Sequence, residues 1–246
     1  MRLFHGHPWD ISPREAVAIQ HELRQWVVAT NASPELDTLD IASVAGVDVS
    51  ARGGMSCAAI AELSFPTLTF RGSSTAVAPL RFPYVPGLLS FREAPAILAA
   101  LKKMDHLPDV LIFDGQGMAH PRRLGIATHI GVLLDHPTIG CAKSRLVGCY
   151  AEPEREVGSW RYLYDGEEII GAVVRTRTGV KPVFVSVGHK VDLITAIKLV
   201  LRCCRRYRLP ETTRWAHRVA GNIVLPAIRQ GEYDPHDGIA ADGDSI

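Results

Sequence analysis

Two apolar runs that each end in an aspartate constrain this chain more than any other feature. Residues 109–121, DVLIFDGQGMAHP, deliver Asp114 into a glycine-rich turn that carries His120, and SVAGVDVS at 43–50 presents Asp48 in the same way. Both runs read as strands. An ionised carboxylate at the end of a buried strand costs free energy unless something compensates it. One compensation is a bound divalent cation; the other is structural, because strands also end in Asp to start a turn or cap a helix. A third acid favours the first: Glu93 opens a helix between the two strands, so the order is strand Asp, helix Glu, strand Asp.

With 246 residues, 47% of them hydrophobic, the chain can build one sizeable core. One domain over residues 1–230 is expected. The last sixteen residues, Gly231 to Ile246, hold five acids and no Lys or Arg, and read as a disordered tail. The net charge is +1, so the body without that tail carries about +6, which permits nucleic-acid binding without requiring it. The five cysteines form no C-x-x-C pair, which excludes a zinc knuckle and points to a reducing, cytoplasmic setting. No apolar run approaches the roughly 20 residues of a bilayer span, and no membrane partner is expected.

Ser12-Pro13-Arg14-Glu15 is a capping box that predicts a helix over about 13–30, with Ala16, Ile19, Leu23, Trp26 and Val27 on its apolar face. SVAGVDVS, MSCAAIAELS and PTLTFRGSSTAVA then predict a three-stranded antiparallel meander, its first turn at Arg52-Gly53-Gly54. In SFREAPAILAALKKM, Ser90 and Glu93 fit a second capping box. Strand 109–114, helix 125–135 and strand 138–143 form a β-α-β unit with parallel strands. EIIGAVVRT and PVFVSVG predict a later hairpin, and Asp192 to Tyr207 a helix.

This element order is that of the RNase H-like fold: an α/β architecture whose mixed sheet is an antiparallel meander extended by parallel strands and flanked by helices. Its first and fourth strands are neighbours, which would put Asp48 and Asp114 side by side with Glu93 reaching over. Carboxylates about 4 Å apart repel by roughly 1 kcal/mol in water and about 4 at an effective dielectric of 20, so the cluster calls for a cation. Mg²⁺ suits it as a hard, oxygen-seeking ion. Lys143 ends strand 138–143 at the same sheet edge; it reads as a phosphate contact or as a solvated strand end. His120 and His217, taken alone, read more readily as ordinary polar surface or core-edge histidines than as ligands. Arg122, Arg123, Arg202, Arg205 and Arg206 read as backbone-phosphate contacts or, more simply, as a solvated basic face.

Pro83-Tyr84-Val85-Pro86-Gly87 sets an aromatic side chain between two prolines that stiffen the loop. Such a tip can enter a base stack, which enzymes acting at one base commonly open. A tyrosine buried between two elements is the alternative.

The segments FPYVPGLLSFRE, DVLIFDGQGMAHPRRLGIATHIGVLLDHPTIGCAKSRL and RLPETTRWAH resemble the endonuclease V family, nucleases directed to deoxyinosine, in order and over roughly residues 40–220. The resemblance implies that Asp48, Glu93 and Asp114 hold Mg²⁺, with Mn²⁺ able to replace it, and that His217 lies near them. It implies that Lys143 and His120 contact or orient the cut phosphate. Tyr84, between Pro83 and Pro86, would be the wedge that fills the space left by a displaced base. Gly87, Leu89, Gly115, Gly117, Ile126 and Leu146 match positions lining a hypoxanthine pocket, where glycines let backbone groups approach a flat base. The reaction implied is hydrolysis of the second phosphodiester bond 3′ to deoxyinosine, leaving 3′-hydroxyl and 5′-phosphate. DNA containing deoxyinosine is the implied partner, inosine-containing RNA the alternative one, and a monomer suffices.

Two other readings compete. A structure-selective RNase H-like nuclease would share the acids but has no use for PYVPG and the glycines. A non-catalytic nucleic-acid binder has no use for three acids and Lys143.

Overall fold

The computed structural model of the chain describes residues 1–223; the boundary expected near 230 and the acidic segment beyond it lie outside the described residues. Among the described residues eight strands form one mixed sheet: β1 (Ser43–Arg52), β2 (Met55–Ser64), β3 (Phe70–Pro79), β4 (Val110–Phe113), β5 (Thr138–Ala142), β6 (Trp160–Asp165), β7 (Glu168–Val174) and β8 (Val183–His189). Their spatial order is β3-β2-β1-β4-β5-β8-β7-β6. The meander forms as expected, with β1–β2 and β2–β3 antiparallel, and β1 then pairs in parallel with β4, and β4 with β5. This is the RNase H-like arrangement, carried further by an antiparallel β5–β8–β7–β6 extension.

Local chemistry sets the turns. Arg52 pairs with Met55 across a two-residue hairpin turn, and both central residues, Gly53 and Gly54, have positive φ, as the favoured hairpin turn demands. Helix α1 (Pro13–Leu23) starts at the expected capping box: Ser12 Oγ accepts the Glu15 N–H, and the Glu15 carboxylate accepts the Ser12 N–H. Helices α2 (Pro34–Thr38), α3 (Leu89–Lys102), α4 (Ile126–Leu134), α5 (Leu193–Cys203) and α6 (Glu211–Gly221) complete the set.

The central parallel strands are buried on both faces, which explains the continuous apolar run VLIF in β4. Leu111 and Phe113 pack with Ile97 and Leu101 of α3 and Ile130 and Leu133 of α4. Val110 and Ile112 point the other way, towards Ile197 and Val200 of α5. Helix α6 lies directly on β1, because Gly46 has no side chain: a Cβ there would stand 2.0 Å from the Thr212 carbonyl oxygen.

Several expectations fail at element ends. The helix predicted over 13–30 stops at Leu23, passes through one 3₁₀ turn (Arg24–Trp26) and becomes extended at Val27. The β-branched Val27 and Val28 disfavour helix, and Val28 instead bonds β8: its carbonyl accepts the Lys190 N–H at 2.6 Å and its N–H reaches His189 Nδ1 at 3.2 Å. Trp26 is therefore exposed, stacked on His5, rather than part of the apolar face. The helix expected to run from Asp192 to Tyr207 ends at Cys203, because the chain beyond it returns to the sheet, where the Arg208 carbonyl accepts Thr176 Oγ1 at 2.6 Å. Strand β6 escaped notice because only Leu163 of its six residues is buried, so no alternation marks it.

Gly46→Ala is expected to push α6 off β1 and lower the free energy of unfolding by about 1–3 kcal/mol or more, since the opposing atom is backbone and cannot rotate away. Urea denaturation of the variant checks this; an unchanged midpoint would mean that α6 tolerates displacement.

Candidate active site

The parallel register of β1 and β4 builds the site. Val47 pairs with Phe113, and the ladder continues one step further, with the Asp114 N–H donating to the Val47 carbonyl at 3.0 Å. Asp48 and Asp114 therefore leave neighbouring strands at the same level, both with side chains about 10% exposed. Glu93, in the second turn of α3, faces the same cavity of about 280 Å³, which Leu89, Ile126 and Lys143 also line. Three acids far apart in sequence thus share one cleft at the end of the sheet.

Its electrostatics are those of carboxylates short of positive charge. Burial, and then the charge of Asp48, push the Glu93 carboxyl up to about 8; Arg92 opposes this and Asp114 adds to it. Asp48 is also raised, by burial first, against the stabilising hydrogen bond from His217. Two donor groups answer part of the charge. The Lys143 ammonium, one residue beyond β5, contacts Asp114 Oδ2. His217 Nδ1, on α6, donates to Asp48 Oδ2 at 2.9 Å, while its side chain stays 76% exposed.

The three carboxylates form a hard-oxygen donor set that fits a divalent cation. Among the described residues, however, no three acidic, histidine or cysteine side chains are drawn together as ligands. The Lys143 ammonium lies against Asp114, within the expected trio.

Ser90 and Glu93 do not form the expected capping box. Helix α3 begins one residue before Ser90, whose hydroxyl instead bonds buried His129 Nδ1 at 2.9 Å, leaving the Glu93 carboxylate to the cleft.

His120 is not brought to the acids. It is 3% exposed, its Nε2 bonds the Gly87 carbonyl at 2.9 Å, and its Nδ1 accepts the Arg122 N–H at 3.2 Å. With both ring nitrogens engaged and its pKa lowered to about 4 by burial and by Arg122, the ring is neutral and orients backbone in this conformation. Tyr84 stands 71% exposed on its loop, which disposes of the buried alternative, and Pro83 and Pro86 flank it at the surface.

Of the pocket glycines, Gly115 abuts Ile126, where a Cβ would meet Cγ2 at 2.7 Å. Gly117 serves packing: a Cβ would lie 2.1 Å from the Val187 carbonyl oxygen, and its own N–H and C=O are bonded to Ser186 Oγ and the Gly125 N–H. It is therefore poorly placed to read a base. Leu146 is 49% exposed on the loop after Lys143. The basic residues are partly committed elsewhere: Arg123 is bound to Asp165 and Glu168 at the β6–β7 turn, and Arg205 to the Thr67 carbonyl.

Sequence reasoning missed two residues. Gln116 donates from Nε2 to the Ser144 carbonyl at 2.9 Å, tying the Asp114 turn to the loop of Lys143, while its buried Oε1 has no hydrogen-bond partner among the described residues. Gln20 is fully buried on α1 at a position whose neighbours one turn away, Ala16 and Leu23, belong to the core. A polar residue at a core position was the available signal.

Because folding raises the Glu93 pKa from 4.5 to about 8, the folded state holds that proton more tightly than the unfolded state. The carboxylate therefore costs nothing below the unfolded pKa, and stability falls as the pH climbs towards 8. With a chelator present, Glu93→Gln is expected to exceed the parent in stability at pH 8, by on the order of 1–3 kcal/mol, and to match it near pH 4. Urea titrations at the two pH values check the sign; a variant less stable at pH 8 would contradict it.

Comparison with known proteins places this geometry in a family. The model of the family Endonuclease V matches residues 21–218. An endonuclease V of Trichormus variabilis is 54% identical over 224 residues, which is 90% of this chain and 100% of that protein. The crystal structure of endonuclease V from Streptomyces avermitilis superposes with a TM-score of 0.81 at 42% identity, covering 89% of this chain and 95% of that one. A Ciona intestinalis endonuclease V, in complex with a 24mer DNA containing an inosine followed by a ribo-adenosine, gives 0.73 at 30% identity over 85% of this chain and 95% of that one. With three acids facing one cleft at the sheet end and a match over most of its length, the chain belongs to the endonuclease V family of nucleases.

Proposed function

We propose that the protein is a DNA repair endonuclease that recognises deoxyinosine and hydrolyses the second phosphodiester bond 3′ to it, leaving 3′-hydroxyl and 5′-phosphate ends. One observation carries the reading: the three-acid cleft is lined by the same helix, α3, that follows the exposed Tyr84 loop, so chemistry and base displacement share one face. The inosine-bearing DNA of the Ciona relative supports the substrate.

Asp48, Glu93 and Asp114 are the residues that would hold Mg²⁺, for which Mn²⁺ can stand in. That ion would activate a water as nucleophile and stabilise charge on the phosphate and the leaving oxygen. Lys143, 46% exposed, can transfer its charge from Asp114 to the scissile phosphate as substrate enters. His217 keeps Asp48 oriented through Nδ1–H, and on its exposed side Nε2 is available to accept the proton that the attacking water loses and pass it to the leaving 3′ oxygen. Tyr84 enters the stack and occupies the space of the displaced base. The base then sits against Leu89, Gly115, Ile126 and Leu146, beside Gly87. Hypoxanthine offers a ring N–H and a carbonyl where adenine has a bare nitrogen and an amino group. Fixed polar groups in this pocket would leave the wrong base unpaired.

A second reading, cleavage of inosine-containing RNA, is favoured by the ribo-adenosine that follows inosine in the Ciona complex. A cleft lined by one chain suits that chain acting alone, as a single RNase H-like domain, and the free state of all five thiols suits a cytoplasmic setting. Among the described residues no helix is long and apolar enough to cross a membrane.

End-labelled duplexes carrying deoxyinosine, adenine, or inosine followed by a ribonucleotide test these readings with Mg²⁺. The expected product is a nick one nucleotide beyond the lesion, absent with adenine, abolished by EDTA, and reduced by about 10³-fold or more in Asp114→Ala. Equal cutting of the inosine and adenine duplexes would sink the lesion specificity, and cutting of the ribonucleotide duplex alone would move the substrate to RNA.

A further inference from the structure

The loop that carries Tyr84 ends at Gly87, whose φ of +79° turns the chain into α3. The Gly87 carbonyl oxygen receives donors from two distant parts of the chain. Gln20 Nε2 of α1 reaches it at 3.0 Å, His120 Nε2 at 2.9 Å and Arg122 Nη2 at 2.8 Å. A carbonyl oxygen has two lone pairs, so three donors saturate it.

The donors also fix one another. Arg122 Nε bonds Gln20 Oε1, and the second acceptor of Gln20 Nε2 is the Leu124 carbonyl at 3.1 Å. The Arg122 N–H donates to His120 Nδ1, which leaves Nε2 as the protonated nitrogen and sets the tautomer that can donate to Gly87. Gln20 has no exposure at all and His120 only 3%, so a bond left unmade at either side chain is costly. A methyl group on Gly87 would stand 2.7 Å from Arg122 Nη2 and push that guanidinium aside, and the φ of +79° itself favours glycine.

Apolar packing holds the loop as well, with Val85 partly buried against Phe82, Leu88 and Phe91. Its backbone makes one bond of its own, from the Leu88 N–H to the Val85 carbonyl at 3.0 Å, and a long one from Arg92 to the Phe82 carbonyl. Phe82 is buried and anchors one end, whereas Tyr84 projects into solvent.

We propose that Gln20, His120 and Arg122 are positioning residues whose joint grip on the Gly87 carbonyl holds the Tyr84 loop stiff enough to enter a duplex. The proposal rests on the wedge role given to Tyr84 above. Opening a base stack costs free energy, and a tip that recoils cannot deliver it. A loop ordered beforehand also avoids paying for its ordering during binding. In a single strand there is little stacking to open, so the grip should matter for duplex substrates and much less for single-stranded ones.

The test uses the full chain with deoxyinosine in a duplex and in a single strand. Arg122→Met is the main variant, since Arg122 is partly exposed and its loss is compatible with folding, as thermal unfolding would verify. Gln20→Leu and Gln20→Glu accompany it; the glutamate can still accept from Arg122 but cannot donate to Gly87. Hydrogen exchange over residues 82–88 of the free protein gives a readout independent of substrate.

The expected results are exchange at Leu88 about tenfold faster in Arg122→Met and a duplex kcat/KM lowered about tenfold, with the single-strand value within about threefold of the parent. Gln20→Glu should resemble Gln20→Leu rather than the parent, and adding Tyr84→Ala to Arg122→Met should cost no more than Tyr84→Ala alone. Equal losses on both substrates, additive losses with Tyr84→Ala, or unchanged exchange would each overturn the proposal. A parent that cuts adenine and inosine duplexes alike would instead overturn the proposed function, while the exchange experiment still decides whether the three side chains restrain the loop.

Discussion

The parallel pairing of β1 with β4 is the constraint on which the site depends. Pairing Val47 with Phe113, and extending that ladder to the Asp114 N–H, decides that two aspartates 66 positions apart emerge together. A slip of one residue would turn either side chain to the opposite face. The register is well protected, because the alternate residues of both strands are committed to different cores: Ala45, Val47, Leu111 and Phe113 to one, Val44, Val110 and Ile112 to the other. Packing free energy on two faces thus pins the acids in a position they would not choose for their own electrostatics.

The two faces also supply the partners. From one side α3 brings Glu93, and from the other α6 brings His217 to Asp48, a close approach permitted by Gly46 and strengthened by Arg52, whose guanidinium bonds the Ala220 and Ile223 carbonyls at the end of α6. Lys143 arrives on the third neighbouring strand. A sheet end with helices on both faces can therefore gather polar groups from five sequence regions while each element remains an ordinary apolar packing unit. The strain is electrostatic and local, seen in the raised carboxyls of Glu93 and Asp48.

Much of this was legible in the sequence because the physics involved is local or periodic. The strand runs, the Ser12 box, the Gly53-Gly54 turn and the β-α-β unit each follow from spacing and turn chemistry, and strand order then placed Asp48 beside Asp114. What escaped depends on tertiary partners. Helix α1 ends where Val28 finds β8, and α5 where Arg208 finds Thr176, choices made by residues more than twenty positions away in sequence. Ser90 looked like a cap and is instead bound to His129. Glycines 115 and 117 carry the same letter, yet one lies beside Ile126 at the cleft and the other is pressed onto Val187 of β8. Pattern alone cannot separate a glycine that makes room for a ligand from one that makes room for a strand.

Histidine 120 shows how the same ambiguity bears on mechanism. A histidine six residues after a catalytic-type aspartate invites a role in proton transfer or phosphate contact. Proton transfer needs a free nitrogen and a pKa near the working pH. Here Nδ1 accepts from Arg122, Nε2 donates to Gly87, and burial keeps the ring neutral. Its chemistry is spent on backbone geometry. The free imidazole edge of the site belongs to His217, which is largely exposed and touches Asp48 with only one nitrogen. The division is therefore between a histidine whose two ring nitrogens are both spent on backbone and one with a ring nitrogen left over at the cleft, and solvent exposure, which no motif records, separates the two.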